Sequence, residues 1–342
     1  MEWWDGPRPG LVRPVRLDPS GQRGPTRGQA RNRNRYRRSS SGYYTPAWVD
    51  GSDVEQRILE ASVVLRSGHA VTGWAALRWC GGAWFSGVDA AGAQVPVDLL
   101  ISTHDIRPQA GFALSGEGTG PEHIEVVDTV PVTSAAWSVS FAMRYAGSVR
   151  RAVEVVDMAA YSDLVSVAEV ADVVSGQSSW TGVPLARDAV ALADENAWSP
   201  REVAMRMTWQ GSIEGSRPRA NIPLFDSSGR HLGTPDLVDV DAGVAADYDG
   251  LVHLGREQRR ADRSRDEVFS DHGIEMVRWL SGDRPADFLA RLHVAYQAAS
   301  RRTGPRRWTA DPPSWWISTT TVAARRTLTE DQRERLLRYR IA

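Results

Sequence analysis

Ile222-Pro-Leu-Phe-Asp-Ser-Ser-Gly-Arg-His-Leu-Gly-Thr-Pro-Asp-Leu-Val-Asp-Val-Asp-Ala-Gly-Val-Ala-Ala-Asp-Tyr-Asp-Gly-Leu-Val-His253 is the stretch whose reading decides the fold. Short apolar runs alternate with turn residues, which predicts a three-strand meander. Ile222–Phe225 is the first strand, and Asp226-Ser-Ser-Gly229 is a turn by residue type. Leu232–Val240 is the second strand, with Thr234-Pro235 near its start, where proline is tolerated. Asp241-Ala-Gly243 turns the chain again, and Val244–Tyr248 is the third strand. The short second turn puts Asp236 and Asp247 almost opposite each other on antiparallel neighbours. Two carboxylates held that close repel unless a hard divalent cation lies between them. Mg²⁺ suits the pair, because it takes one or two carboxylates and completes its shell with water and phosphate.

The flanks extend the pattern. Ser199-Pro-Arg-Glu202 opens a helix running to about Trp209. Ser199 is the N-cap, Pro200 the first helical residue, and Glu202 the third position of a capping box. Beyond the meander, Arg256–His272 is a charged amphipathic helix ended by Gly273. Ile274–Leu280 then reads as a buried strand and Pro285–Ser300 as a helix. The order is helix, three strands, helix, strand, helix.

That order, with Pro235-Asp236 followed by Asp247-Tyr-Asp-Gly250, His253 and an Asp/Arg-rich helix, resembles the PD-(D/E)XK nuclease superfamily. More narrowly, it resembles the branch related to the very-short-patch repair endonuclease. The resemblance covers about residues 195–302 and implies a restriction-endonuclease-like core. It further implies an endonuclease, a Mg²⁺- or Mn²⁺-dependent hydrolase of DNA phosphodiester bonds. The implied metal ligands are Asp236, Asp247 and Glu202, with the Tyr248 carbonyl as a further donor. Asp249 would position metal-bound water, and His253 would serve as base or acid. Arg259, Arg260, Arg263 and Arg265 would contact backbone phosphates. Two positions depart from the usual motif. Asp247 stands where a glutamate is usual, and Asp249 where a lysine orients the attacking water. His253, Arg263 and Gln258 are the candidates to replace that lysine.

The remaining chain is long enough for further domains. The sequence has 342 residues, a formal net charge of −1 and 41 basic residues, none of them lysine. Near-neutral total charge says nothing about nucleic acid; distribution does. Residues 1–41 are rich in Arg, Pro, Gly and Ser, with the dense run Arg31–Arg38, and read as a basic disordered arm. Such an arm is either a phosphate-contacting device or a solvated tail. The single cysteine, Cys80, excludes an internal disulfide and a multi-cysteine zinc site. It follows Trp79 on an apolar helix and reads as a small core residue. Trp74, Trp79, Trp84 and Trp137 also read as core. No signal peptide and no membrane-length apolar run is evident, so the cytoplasm is the expected compartment and no membrane is expected as a partner.

Residues 42–190 read as an α/β domain with a helix over Asp53–Ser67. Gly68, Ala70, Val71, Thr72, Gly73, Ala75 and Ala76 then form a small-residue helix start. This region resembles the AbiEi-type antitoxins of type IV toxin–antitoxin systems from actinobacteria, a likeness that implies a cognate toxin as partner. His104, Asp105, His123 and Asp128 are scattered and make no catalytic set. Residues 303–342 form an Arg/Trp-rich extension with a terminal helix. Its arginines and tryptophans suit either a nucleic-acid backbone or a groove of the domain itself. The sequence therefore predicts a DNA endonuclease in defence or repair. The alternatives are a catalytically inactive DNA-binding regulator and an antitoxin.

Overall fold

The structure is a computed structural model and describes residues 5–249 and 266–340. The chain is mixed α/β and divides into two compact units. Unit 1 comprises Met1–Ala146 and Ala168–Arg187, and unit 2 comprises Gly147–Val167 and Asp188–Ala342.

Unit 1 is built on a five-stranded mixed sheet. Its order is Phe112–Ser115, Val97–Leu100, Ala70–Val71, Val130–Thr133, Ile124–Val127. The helices Val54–Ser62 and Gly73–Trp79 supply Ile58, Leu59, Ala75, Ala76 and Trp79 to the core against Val71, Val97, Leu99 and Val132. Trp79 and Trp137 are core residues as expected, but Trp84 is 43% exposed.

The segment expected as a disordered arm carries regular structure. Val15–Arg16, Tyr43–Pro46 and Tyr36–Ser40 form a three-stranded antiparallel sheet, and Arg27–Arg31 is a short capped helix. Polar groups on the helix Val54–Ser62 order it. Gln56 exchanges two hydrogen bonds of 2.9 Å with the backbone of Val12. Glu60 pairs with Arg37, and its carbonyl accepts from the Ser40 hydroxyl at 2.8 Å. Arg8 binds Glu55 and Asp128 and lies 4.0 Å over the Trp79 ring. The arginine run lacks apolar periodicity because it packs through its charges and stems rather than through an apolar face.

Asp98, on the strand Val97–Leu100, faces the start of the helix Gly73–Trp79; a Cβ on Gly73 would lie 3.0 Å from its Oδ2. Burial pushes the Asp98 carboxyl up to about 7. An acid whose pKa is higher folded than unfolded favours the fold when protonated. Its contribution is fully present below about pH 4 and is lost as pH rises through about 7. Asp98→Asn removes the ionisation, so its melting temperature rises above wild type at pH 8 and converges on it near pH 4. A difference that does not change with pH would refute this account.

Unit 2 holds the predicted meander, with one rearrangement. Its four-stranded sheet runs Arg219–Ala220, Leu237–Asp239, Val244–Asp249, Glu275–Leu280. The first three strands are antiparallel in sequence, and the fourth is parallel to the third. The segment expected as the first meander strand instead belongs to a second sheet. Leu224–Asp226 pairs with His231–Gly233 on one side and Trp308–Thr309 on the other. Asn221 explains the change, since its φ of 51° breaks the strand after Ala220. Gly233, Thr234 and Pro235 likewise split the expected strand 232–240, because proline offers no N–H to a ladder.

Strand alternation sorts unit 2 into layers. Val238, Ala245 and Met276 point to one face and pack with Phe269 of the helical residues 266–272. Asp239, Tyr248 and Trp279 point to the other. There Tyr296 of the helix Pro285–Ser300 donates to Asp239 at 2.6 Å, and Phe288 stacks on Trp279 at 4.6 Å. The helix Pro200–Gln210 shares this second face, with Trp209 Nε1 donating to the Tyr296 hydroxyl at 2.9 Å. The sheet thus lies between helices. Among the described residues no helix is long and apolar enough to cross a membrane.

Candidate functional site

The register Leu237↔Ala246, continued one residue, puts Asp236 opposite Asp247. The two carboxylates are tied to each other's backbone. The Asp236 N–H donates to Asp247 Oδ1 at 3.0 Å, and the Tyr248 N–H donates to Asp236 Oδ2 at 2.7 Å. Pro235 ends the ladder immediately before Asp236, so side chains take over where backbone pairing stops. Asp247 is 5% exposed, and Asp236 is half-buried.

The parallel neighbour brings a cation to the same face. Asp247 lies opposite Arg278 in the ladder. The Arg278 guanidinium donates to Asp266 Oδ2 from Nη2 at 2.7 Å and from Nε at 3.3 Å. Its Nη1 lies 3.8 Å from Asp249 Oδ2. Burial works against the charge, but Asp266, Asp247 and Asp249 together hold the guanidinium above its ordinary value. Sequence reading passed over Arg278 because it sits inside the apolar run Ile274–Leu280. Only the parallel register of that strand identifies its neighbours.

Glu202 is placed elsewhere. Its helix covers the opposite face, where Arg201 lies 5.9 Å over the Tyr248 ring. Glu202 Oε2 accepts from the Trp198 N–H at 2.8 Å and from Asn221 Nδ2 at 2.6 Å, and Oε1 accepts from the Ser199 hydroxyl at 2.9 Å. Burial raises its pKa, and these hydrogen bonds pull the other way. The Asn221 N–H in turn donates to the Asp236 carbonyl at 3.0 Å. Glu202 therefore caps its helix and braces the residue beside Asp236. Among the described residues no three His, Cys, Asp or Glu side chains are grouped to hold a metal ion, so Glu202 does not complete a set with Asp236 and Asp247. His253, Gln258, Arg259, Arg260, Arg263 and Arg265 lie outside the described residues.

Comparison with known proteins adds little to this geometry. No family model matches the chain, and no solved structure matches it. Glutamine–tRNA ligases of Bordetella pertussis, Bordetella parapertussis and Bordetella bronchiseptica are each 29% identical to it over 98 residues, 29% of this chain. The chain spans 16% of the length of those relatives. No family follows from so partial a likeness.

In unit 1, Cys80 offers no alternative nucleophile. Burial, with Glu125 nearby, pushes its thiol up to about 11, so it stays protonated at neutral pH.

Proposed function

We propose that unit 2 is a metal-dependent DNA endonuclease core of the restriction-endonuclease kind. The observation that carries this reading is the Asp236–Asp247 pair, locked face to face at a strand end with Arg278 on the same sheet face. The strand order supports it: three antiparallel strands, a parallel fourth, and helices on both faces. The donors fit Mg²⁺ or Mn²⁺, which favour carboxylate and carbonyl oxygens. Asp236 and Asp247 would hold the ion, with the Tyr248 carbonyl beside them. Bound there, it would polarise a phosphoryl oxygen and acidify an attacking water.

The chain's own groups have separate tasks. Arg278 offsets the charge of Asp247 and Asp249 and offers N–H groups to a phosphate on the same face. It does not act as a base, because a guanidinium stays protonated. Asp249 and Asp266 fix its direction. Glu202, through Asn221, holds the strand start that carries Asp236. We assign proton transfer to His253, and further phosphate contacts to Arg259, Arg260, Arg263 and Arg265.

A second reading has its own support. Arg278, a cation on the pair's face, is held by Asp266, and Asp249 occupies the position where a nuclease of this kind usually has lysine. Both fit a DNA-binding regulator without cleavage, or an antitoxin whose partner is a cognate toxin. Nicking of supercoiled plasmid with Mg²⁺ or Mn²⁺ separates the readings. Metal-dependent nicking supports the nuclease. A gel shift without nicking, across several substrates and both metals, supports the regulator.

A further inference from the structure

At the other end of the same sheet, unit 2 carries a cleft of about 530 Å³. Its walls are the turn Asp241–Gly243, the turn His272–Gly273 and the segment after the helix Pro285–Ser300. Arg301, Arg302, Arg306 and Arg307 all line it, and all four are exposed. Three are held in place. Arg302 binds Glu275 Oε1 from Nε at 2.9 Å and from Nη2 at 2.5 Å. Arg306 donates to the Asp241 carbonyl at 2.9 Å and lies 4.5 Å over the Trp308 ring. Arg307 donates to the Asp271 carbonyl. Among the described residues the Arg301 side chain has no hydrogen-bonding or ionic partner, and its backbone N–H caps the helix by donating to the Ala298 carbonyl.

Four guanidinium groups converging on one cleft repel one another. The acidic residues at hand are Asp241 in the lining, Asp271 beside Arg307, and Glu275, already paired with Arg302. Positive charge therefore exceeds negative in the cleft. Backbone tethers fix Arg306 and Arg307 without neutralising them. A guanidinium presents a planar fork matched to phosphate oxygens. A cleft with several such forks fits a ligand that carries several phosphates at regular spacing.

We infer that this cleft is a second nucleic-acid contact, binding backbone phosphates of the strand presented to the acidic pair. The inference rests on the nuclease reading and names how its substrate is held. Gly243, in the turn just before the strand, and Asp247 on it are four residues apart, about 13 Å at ~3.3 Å per residue. That is about four base-pair steps along the axis of a duplex, at ~3.4 Å per step. A duplex is longer than this separation, so one molecule can touch both the cleft and the acidic pair. The arginines after Ser300 are then the anchor for the substrate, and the acidic pair is where it is cut.

The test is fluorescence anisotropy of a labelled 20-base-pair duplex across a NaCl series, with EDTA present to prevent cleavage. Arg301→Ala disturbs no side-chain partner among the described residues and keeps the backbone N–H that caps the helix, so it folds as wild type does. It is expected to weaken binding about tenfold at low salt. It is also expected to lower the slope of log affinity against log salt by about 1. Arg307→Lys keeps a charge and should keep the slope. Inorganic phosphate should compete no better than chloride at matched ionic strength. Unchanged affinity and slope in Arg301→Ala would overturn the inference. So would phosphate displacing the duplex at millimolar concentration, which would mark a site for the free anion. The two readings fail separately. If wild type never nicks but Arg301→Ala still loses affinity, the cleft stands and the nuclease reading falls. If Arg301→Ala binds and nicks as wild type, the cleft assignment falls alone.

Discussion

Asp236→Asn and Asp247→Asn are each expected to abolish Mg²⁺-dependent plasmid nicking while leaving the melting temperature within a few degrees of wild type. The reasoning starts from what each carboxylate already does. Asp247 Oδ1 accepts the Asp236 N–H, and Asp236 Oδ2 accepts the Tyr248 N–H. An asparagine carbonyl takes over either bond, so the backbone stays satisfied and only the charge is lost. Alanine removes both. It leaves an inward-facing N–H without its acceptor, at a cost of roughly 1–3 kcal/mol. The alanine variants therefore mix lost chemistry with lost stability, and the asparagine variants separate them. Each carboxylate is a direct ligand in the proposed site. Its loss removes several kcal/mol of transition-state stabilisation, on the order of 10³-fold in rate. Asp249→Asn leaves the pair intact and loosens only the grip on Arg278, so its loss should be smaller. Wild-type nicking by both asparagine variants would remove the metal site from this end of the sheet.

The largest stability effect is expected at Arg206 and Asp157. Both are almost fully buried, at 2% and 0% exposure. Arg206 Nη2 donates to Asp157 Oδ2 at 2.5 Å, and its Nη1 donates to the Leu192 carbonyl at 2.5 Å. Asp157 Oδ1 accepts the Asp194 N–H at 2.9 Å. Burial pushes the Asp157 carboxyl up to about 7, even with Arg206 pulling it down. Desolvation is therefore the dominant force at this pair, and each charge is tolerable only with its partner present. Arg206→Ala leaves a buried carboxylate without its counter-charge and should cost about 3–5 kcal/mol in urea unfolding. Asp157→Asn should cost less, because the amide oxygen still accepts from Asp194. The double substitution Asp157→Leu/Arg206→Met removes both charges and should recover most of the loss. A cost below about 1 kcal/mol for Arg206→Ala would show that the pair is hydrated after all.

Part of this architecture is legible in the sequence. The helix Pro200–Gln210 announces itself through Ser199, Pro200 and Glu202, and capping chemistry is local. Asp236 and Asp247 could be placed together because a short turn fixes antiparallel register. What escaped was set by partners far away in sequence. Arg219–Ala220 is too short to show any period, and it is a sheet strand only because Leu237 and Val238 pair with it. Leu224–Asp226 looked like its equal, but Asn221 and the distant Trp308–Thr309 draw it into another sheet. The arm before residue 41 reads as solvated because its organising contacts are ion pairs and hydrogen bonds to Glu55, Gln56 and Glu60. Glu202 was legible as a capping residue, but its sheet face was not.

The fastening at Asp163 bears on how the chain is made. Asp163 follows the helix Val149–Tyr161, and its carboxylate accepts from Arg325 Nε at 2.6 Å and from Arg333 Nη1 at 2.8 Å. Arg325, fully buried, also reaches the carbonyls of Ala160 and Glu195. The bonds to Asp163 and Ala160 join positions more than 160 residues apart in sequence, and the one to Glu195 joins positions 130 apart. Loop closure of that span must be completed before the contacts return any stability. During synthesis from the N-terminus, the fastening at Asp163 therefore stays open until Arg325 has left the ribosome, while the last strand of the five-stranded sheet of unit 1 is made by Thr133. The closure of unit 2 around Asp163 therefore comes later in synthesis than the sheet of unit 1, although its own four-stranded sheet lies within residues 219–280.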